Sequence, residues 1–208
     1  MQANPPSKPS AQRPAPLLLG SSSRYRAEVL ARLGLPFEQA SPNIDETPQH
    51  GELPQDLVLR LAREKGAALA SAHPDALIIS SDQVASIDDQ ILGKPHTSER
   101  AEAQLTLLSG RHVTFYTSIA LLEAATGQVQ CDLDVTRVQF RSLSAGEISD
   151  YVAREQPLDC AGAFKSEGLG VALFEAIETR DPAALIGLPL IRLCAMLAAA
   201  GAPVLANP

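Results

Sequence analysis

Tryptophan is absent from the 208 residues, and the aromatics stop at three tyrosines and five phenylalanines. The core must therefore be built from Leu, Val, Ile and Ala. Cysteine is sparse: Cys131, Cys160 and Cys194 stand far apart, with no C-x-x-C pair. That argues against a zinc ribbon and against thioredoxin-like chemistry, and it fits a reducing cytosol. An excess of basic charge is missing too, since 17 Lys and Arg face 24 Asp and Glu for a net charge of −7. A protein that coats nucleic acid needs a basic surface, so that class is excluded. A small anion bound by a local cluster of Lys and Arg is not. No apolar run reaches membrane-spanning length, and Leu17 to Leu19 is too short for the core of a signal peptide. The expected location is the cytoplasm, with no membrane partner. No G-x-x-x-x-G-K-S/T occurs, which rules out a P-loop.

What is present suffices for one domain. Apolar residues make up 45% of the chain, ordinary for a globular protein of this length. Residues 1–16 hold five prolines among small polar residues and read as a disordered tail. Residues 17–208 read as a single α/β domain.

The most informative stretch is Leu77 to Val84. Leu77, Ile78 and Ile79 predict a strand buried on both faces. Ser80 and Ser81 follow, then Asp82 and Gln83 where the apolar pattern should continue. An ionised carboxylate at the end of a buried strand is costly unless a cation meets it. Ligands of open α/β sheets bind at the carboxyl ends of strands. Asp82 is thus the first candidate for chemistry, and spacing alone equally allows an acid that caps a neighbouring turn.

Leu17 to Leu19 predicts a short buried strand, and residues 24–33 a helix stopped by Gly34. Between them lie Gly20, Ser21, Ser22 and Ser23. A small-residue turn at a helix N-terminus exposes free N–H groups and the positive dipole end. The serine hydroxyls and Arg26 add donors for phosphate, although plain N-capping explains the serines as well. The acids Asp45 and Glu46 sit in a polar loop and suit either solvent or a divalent cation.

Residues 54–72 predict a helix with Leu57, Val58, Leu61, Ala62, Ala68, Leu69 and Ala72 on one face. Lys65 falls inside that apolar arc. A lysine there either snorkels to an edge or serves a site that needs a cation. The strand that begins at Leu77 is expected to run on through Ala85, Ser86 and Ile87, turn at Asp88 and Asp89, and return through residues 90–92. Lys94 follows, kept extended by Pro95. A helix is expected over 98–108, two long strands over 113–122 and 129–140, and a helix opened by the capping box Ser144 to Glu147. Residues 159–170 form a small-residue loop carrying Lys165 and Glu167. A strand over 171–174, a short helix after Asp181 and Pro182, and a last helix over 190–200 complete the chain. This order predicts α/β with a mixed sheet.

Several of these patches together resemble the Maf family of nucleoside triphosphate pyrophosphatases. They are S-x-S-x-x-R at Ser21, Ser23 and Arg26, D-E-T-P at 45–48, S-D-Q-V at 81–84, G-K-P at 93–95 and F-K-S-E-G at 164–168. The pairing of S-D-Q with F-K-S-E-G is similar to the branch acting on 7-methyl-GTP rather than the dTTP/UTP branch. The resemblance implies a long twisted mixed sheet flanked by helices around a deep cleft, as in the inosine-triphosphate pyrophosphatases. It implies a small-molecule nucleotide substrate, cleavage between the α and β phosphates, a divalent cation (Mg²⁺ or Mn²⁺), and a cytoplasmic role in clearing modified nucleotides. Family members are often homodimers, though nothing in the sequence fixes an interface. By position, Asp82 matches the proton acceptor, and Tyr25, Gln83 and Glu167 match specificity residues. Ser21, Arg26, Lys65, Lys94 and Glu46 match the cleft lining. Ser23 and Lys165 are further phosphate-binding candidates, and Asp82 with Glu46 would hold the metal. Three positions depart from the family pattern: Arg24 where proline is usual, Ala27 where arginine is usual, and Ser80 where glycine is usual. The last bears on the space around Asp82.

Two other readings compete. Asp132, Asp134 and Thr136 spell the D-x-D-x-T of phosphatases with an aspartate nucleophile, but strand alternation with Cys131, Leu133 and Val135 points both acids at solvent. A nucleotide-binding regulator without turnover is the alternative outside enzymes, and a pyrophosphatase preferring dTTP or UTP is the alternative within the family.

Overall fold

The computed structural model describes residues 15–88 and 90–205. The expected tail over 1–16 therefore lies almost wholly outside the described residues. Pro16 belongs with the fold, since its carbonyl accepts a hydrogen bond from the Leu77 amide.

An eight-stranded mixed sheet organises the chain. Strand β1 (Leu17–Gly20) runs parallel to β2 (Phe37–Ala40) and to β3 (Leu77–Ser80). Two long antiparallel strands, β6 (His112–Glu123) and β7 (Gln128–Phe140), form its centre, and β8 (Phe174–Glu178) adds to β7. Strand β3 and the next strand, β4 (Gln83–Ile87), both pair with β6 in one unbroken register: Ser80 faces Ala120 and Gln83 faces Thr117. They are one strand interrupted at Ser81 and Asp82. The Ser118 amide still donates to the Asp82 carbonyl at 2.9 Å, so β6 spans the break. On the other side, β1 ends at Gly20 and β5 (Gln90–Leu92) pairs only with β4. The break thus faces an open gap between two strands, and that gap is the cleft.

Side-chain alternation along buried strands sends residues to two cores. Leu17, Leu19, Leu77, Ile79 and Leu121 pack under α1 (Arg24–Ala31) and α5 (Leu190–Ala199). Leu18, Ile78 and Leu122 meet Leu69 of α2 (Pro54–Ala70) on the opposite face. A third cluster joins α3 (Ser98–Leu108) and α4 (Ala145–Glu155) to the sheet. Within it Phe115, Phe140, Phe164 and Phe174 stack edge to face, with centroids 4.8 to 5.7 Å apart.

The buried stripe of α2 is Leu57, Val58, Leu61, Ala62, Lys65, Gly66 and Leu69. Ala68 and Ala72, expected in that stripe, are exposed. Gly66 takes the inner position because the helix lies close on Ser80, whose hydroxyl donates to the Ala62 carbonyl. The strand expected over 171–174 is instead a 3₁₀ turn over Leu169–Leu173, with Val171 exposed and strand beginning only at Phe174. The capping box at Ser144 and Glu147 forms as expected.

The acids of D-x-D-x-T do not share one environment. Asp132 pairs with Arg192 near the surface, but Asp134 is buried. Solvent exposure was the wrong expectation for Asp134, because residues 179–184 cover that face of β7: Thr136 bonds Thr179 and lies beside Asp134. Burial, reinforced by nearby Asp181, raises the Asp134 pKa above its ordinary 3.8. A raised acid favours the fold in its neutral form, below its unfolded pKa, and loses that contribution as pH rises through the folded value. Asp134→Asn is therefore expected to raise the thermal midpoint at pH 7, with the gain shrinking as pH falls toward 4. Thermal melts across that range check it.

Candidate active site

The cleft has a volume of about 610 Å³ and opens between the turn after β1, the loop before α2, the strand break and the β4–β5 hairpin. A smaller hollow of about 110 Å³ adjoins it. Tyr25, Arg26, Gln83 and Lys94 line both; Asp82 and Lys65 line the larger, Glu167 the smaller.

Asp82 is 7% exposed and Lys65 is 4% exposed. The Lys65 ammonium donates to Asp82 Oδ1 at 2.6 Å and pairs ionically with Glu46 Oε1 at 2.9 Å. The lysine on the apolar stripe therefore belongs to the site. The Asp82 amide donates to Ser118 Oγ, whose own proton goes to the Val58 carbonyl. Asp82 Oδ2 has no hydrogen-bond partner among the described residues and is left to the cleft. Glu46 is set by its loop: Asp45 accepts from the Thr47 amide, and Arg60 of α2 grips Glu52 and the Thr47 carbonyl. That grip holds the Glu52 carboxyl down to about 2.

The turn after β1 is shaped by three side chains. Ser23 caps α1 by accepting from the Arg26 amide. Ser21 Oγ accepts from the Ser23 amide and from Arg26 Nη1. Gln39 on β2 ties down the Ser21 carbonyl at 2.6 Å. Arg26 Nε also donates to the Gly187 carbonyl at 2.9 Å. Burial lowers the Arg26 pKa, with Asp82 and Glu46 opposing, and a guanidinium stays charged at any physiological pH. Gly187 has φ +116°, and an added Cβ would press on the Arg26 side chain at 3.4 Å.

Tyr25 donates its hydroxyl to Asp159, and the Arg24 guanidinium lies 4.7 Å above its ring. One face of Tyr25 is therefore already covered. Cys160 lies in the smaller hollow, with its thiol pushed up to about 12 by burial and by Asp159. It is inert as a nucleophile.

The F-K-S-E-G stretch divides its work. Phe164 anchors it in the aromatic cluster. Lys165 turns away from the cleft: its ammonium donates to the Glu155 carbonyl at 2.7 Å and faces the Glu155 carboxylate at 3.5 Å. Lys165, a phosphate-binding candidate by sequence, lies outside the lining of both hollows. It clamps the loop to the C-terminal end of α4, where a cation complements the helix dipole. Gly170 sits on the Lys165 carbonyl, where a Cβ would come within 2.3 Å. Glu167 is left exposed at the rim of the smaller hollow.

The structure thus brings Ser21, Ser23, Tyr25, Arg26, Glu46, Lys65, Asp82, Gln83 and Lys94 into one cleft, with Glu167 at its edge. Ser80 spends its hydroxyl on α2 and does not narrow the approach to Asp82. Sequence reasoning missed the roles of Gln39, Asp159, Thr117, Ser118 and the backbone carbonyls of 184–187. The two carboxylates on Lys65 are hard oxygen donors suited to Mg²⁺ or Mn²⁺. No group of three acids, His or Cys side chains gathers as a metal cage among the described residues. An ion held by one or two carboxylates plus substrate phosphates fits that donor set.

Residues 16–200 match the family model described as Maf-like protein. The chain belongs to the Maf family. A Pseudomonas putida protein named 7-methyl-GTP pyrophosphatase is 59% identical over 186 residues, covering 89% of this chain and 97% of that protein. Proteins of the same name from Pseudomonas syringae pv. tomato and Nitrosococcus oceani are 57% and 53% identical, covering 90% and 92% of this chain and 98% of each relative. Among solved structures, the Staphylococcus aureus Ham1 protein aligns with a TM-score of 0.43 at 13% identity, over 60% of this chain and 71% of that one. No helix among the described residues of this Maf protein is long and apolar enough to cross a membrane.

Breaking a buried ion pair from one side strands the other charge, at about 3 kcal/mol. Lys65→Met is expected to lose about that much stability. Adding Asp82→Asn should recover most of it. Urea titration of the single and double variants checks this.

Proposed function

We propose that this Maf protein hydrolyses 7-methyl-GTP to 7-methyl-GMP and pyrophosphate, removing a modified nucleotide from the pool. The observation that carries the reading is the placement of Asp82. It is a buried carboxylate tied to Lys65, in a cation-lined cleft that continues into a hollow rimmed by Glu167.

A triphosphate carries about four negative charges. Arg26, Lys94 and the N–H groups of the turn after β1 meet them, and Arg24 stands at the same mouth. Lys65 is largely neutralised by Asp82 and Glu46, which leaves the cleft short of positive charge. Mg²⁺ or Mn²⁺ on Asp82 and Glu46 would supply the deficit and polarise the phosphoryl oxygens. Asp82 is next in the chain to Gln83, which lines both hollows. With the base in the smaller hollow, the α-phosphorus therefore falls nearest Asp82. Asp82 accepts the proton of the attacking water. The water oxygen bonds to the α-phosphorus, the bond to the α–β bridging oxygen breaks, and pyrophosphate leaves.

The smaller hollow suits methylated guanine. Guanine offers N1–H and N2–H₂, two donors that one carboxylate accepts together. Methylation at N7 makes the base a cation, which favours Glu167 and Asp159 further. Uracil and thymine offer one donor between two acceptors and gain less from a carboxylate.

Asp82→Asn is expected to lower turnover at least a hundredfold with the fold intact. Glu167→Gln is expected to reduce the preference for 7-methyl-GTP over UTP about tenfold. Both are read on a panel of 7-methyl-GTP, GTP, dTTP and UTP with Mg²⁺ or Mn²⁺, detecting pyrophosphate and orthophosphate separately. Preference for dTTP or UTP in the wild type would overturn the substrate. Binding without hydrolysis would make the chain a nucleotide sensor, and orthophosphate release would revive the aspartate-nucleophile chemistry.

A further inference from the structure

Gln83 meets the cleft with a side chain whose direction is not free. Its Nε2 lies 2.9 Å from Thr117 Oγ1, 2.9 Å from the Ala184 carbonyl and 3.2 Å from the Leu185 carbonyl. Carbonyls only accept. Thr117 commits its own proton to the Ala184 carbonyl at 3.0 Å and so offers Gln83 a lone pair. Three acceptors converge on one end of the amide, and only the nitrogen fits there. The oxygen of Gln83 must then point the other way, into the cleft.

The carbonyls that enforce this belong to residues 181–191, a segment held by Asp181. That side chain is 2% exposed. Its Oδ1 accepts from the Ala183 amide at 3.0 Å, and its Oδ2 from the Ile191 amide at 2.6 Å. Helix α5 has Pro189 at its N-cap, which offers no side-chain cap. Asp181 caps the helix from ten residues upstream, and a negative charge at a helix N-terminus is favourable. It thereby closes the segment into a bracket whose Ala184 and Leu185 carbonyls hold Gln83. The Gly187 carbonyl holds Arg26 and Ser81.

We propose that Asp181 and Thr117, neither of which lines the cleft, are positioning residues for base selection, because they lock the Gln83 amide with its oxygen facing the ligand. The lock makes Gln83 an obligate acceptor, so the base it meets must offer a donor. Alongside Glu167 and Asp159, it adds a fixed acceptor to the base end of the cleft. A Gln83 amide free to turn would donate to the carbonyls of uracil or thymine. This inference rests on the reading that Gln83 touches the base.

The test compares kcat/KM for 7-methyl-GTP and UTP in Asp181→Asn, Thr117→Val, Thr117→Ser and Gln83→Ala, with thermal melts for folding. Asp181→Asn is expected to lower the ratio of 7-methyl-GTP to UTP about tenfold, and Thr117→Val several-fold in the same direction. Thr117→Ser, which keeps the hydroxyl, should retain the wild-type ratio. In a Gln83→Ala background neither substitution should move the ratio further. If the folded Asp181 and Thr117 variants lose both activities by the same factor while Gln83→Ala shifts the ratio, the lock is overturned and the two residues are only structural. If Gln83→Ala leaves the ratio unchanged, Gln83 does not read the base and the lock falls with that reading. Should Asp181→Asn fail to fold, Thr117→Val decides alone.

Discussion

The Lys65 ammonium lies between the Asp82 and Glu46 carboxylates, with Lys65 and Asp82 both buried. A buried charge persists only where its partners are fixed, since the desolvation of each ion rivals the attraction between them. Much of the surrounding structure supplies that fixity. Helix α2 lies against the sheet closely enough that a Cβ at residue 66 would come within 3.1 Å of Ser80 Oγ. Strand β6 bridges the break at Asp82 through Ser118. Arg60 ties down the loop that delivers Glu46. An interaction that adds little to stability by itself sets where the carboxylate of the cleft stands.

A second constraint comes from backbone carbonyls. Residues 184–187 turn three of them toward the cleft, and these receive Gln83, Thr117, Arg26 and Ser81. Carbonyls cannot swap donor for acceptor as hydroxyls can. They therefore fix the direction of every side chain that donates to them. The cleft combines a phosphate half, where Arg26 and the turn after β1 meet anions, with a base half, where Glu167 and the Gln83 oxygen add acceptors beside Arg26 and Lys94. A nucleotide with an electron-poor base matches both halves at once.

Much of this was legible in the sequence for identifiable reasons. Asp82 showed because it interrupts an apolar run, and Lys65 showed because a cation on an apolar helix face has to be explained. The helix over 145–155 showed through its capping box. What failed did so where alternation is a poor guide. Asp134 alternates like a surface acid, yet residues 179–184 return over it from more than forty positions away. Lys165 sits in a motif of functional residues, yet its reach takes it to the end of α4. The roles of Gln39, Thr117 and Asp181 left no signal, because they arise from contacts between distant segments.

The account turns on Asp82 facing the phosphorus nearest the base. Hydrolysis of 7-methyl-GTP in water carrying a heavy oxygen isotope, followed by mass spectrometry of both products, addresses that directly. The account predicts the label in 7-methyl-GMP, from attack at the α-phosphorus, with none in pyrophosphate. Label in pyrophosphate, or in released orthophosphate, would place the attack elsewhere along the triphosphate and contradict the placement of Asp82 in the reaction.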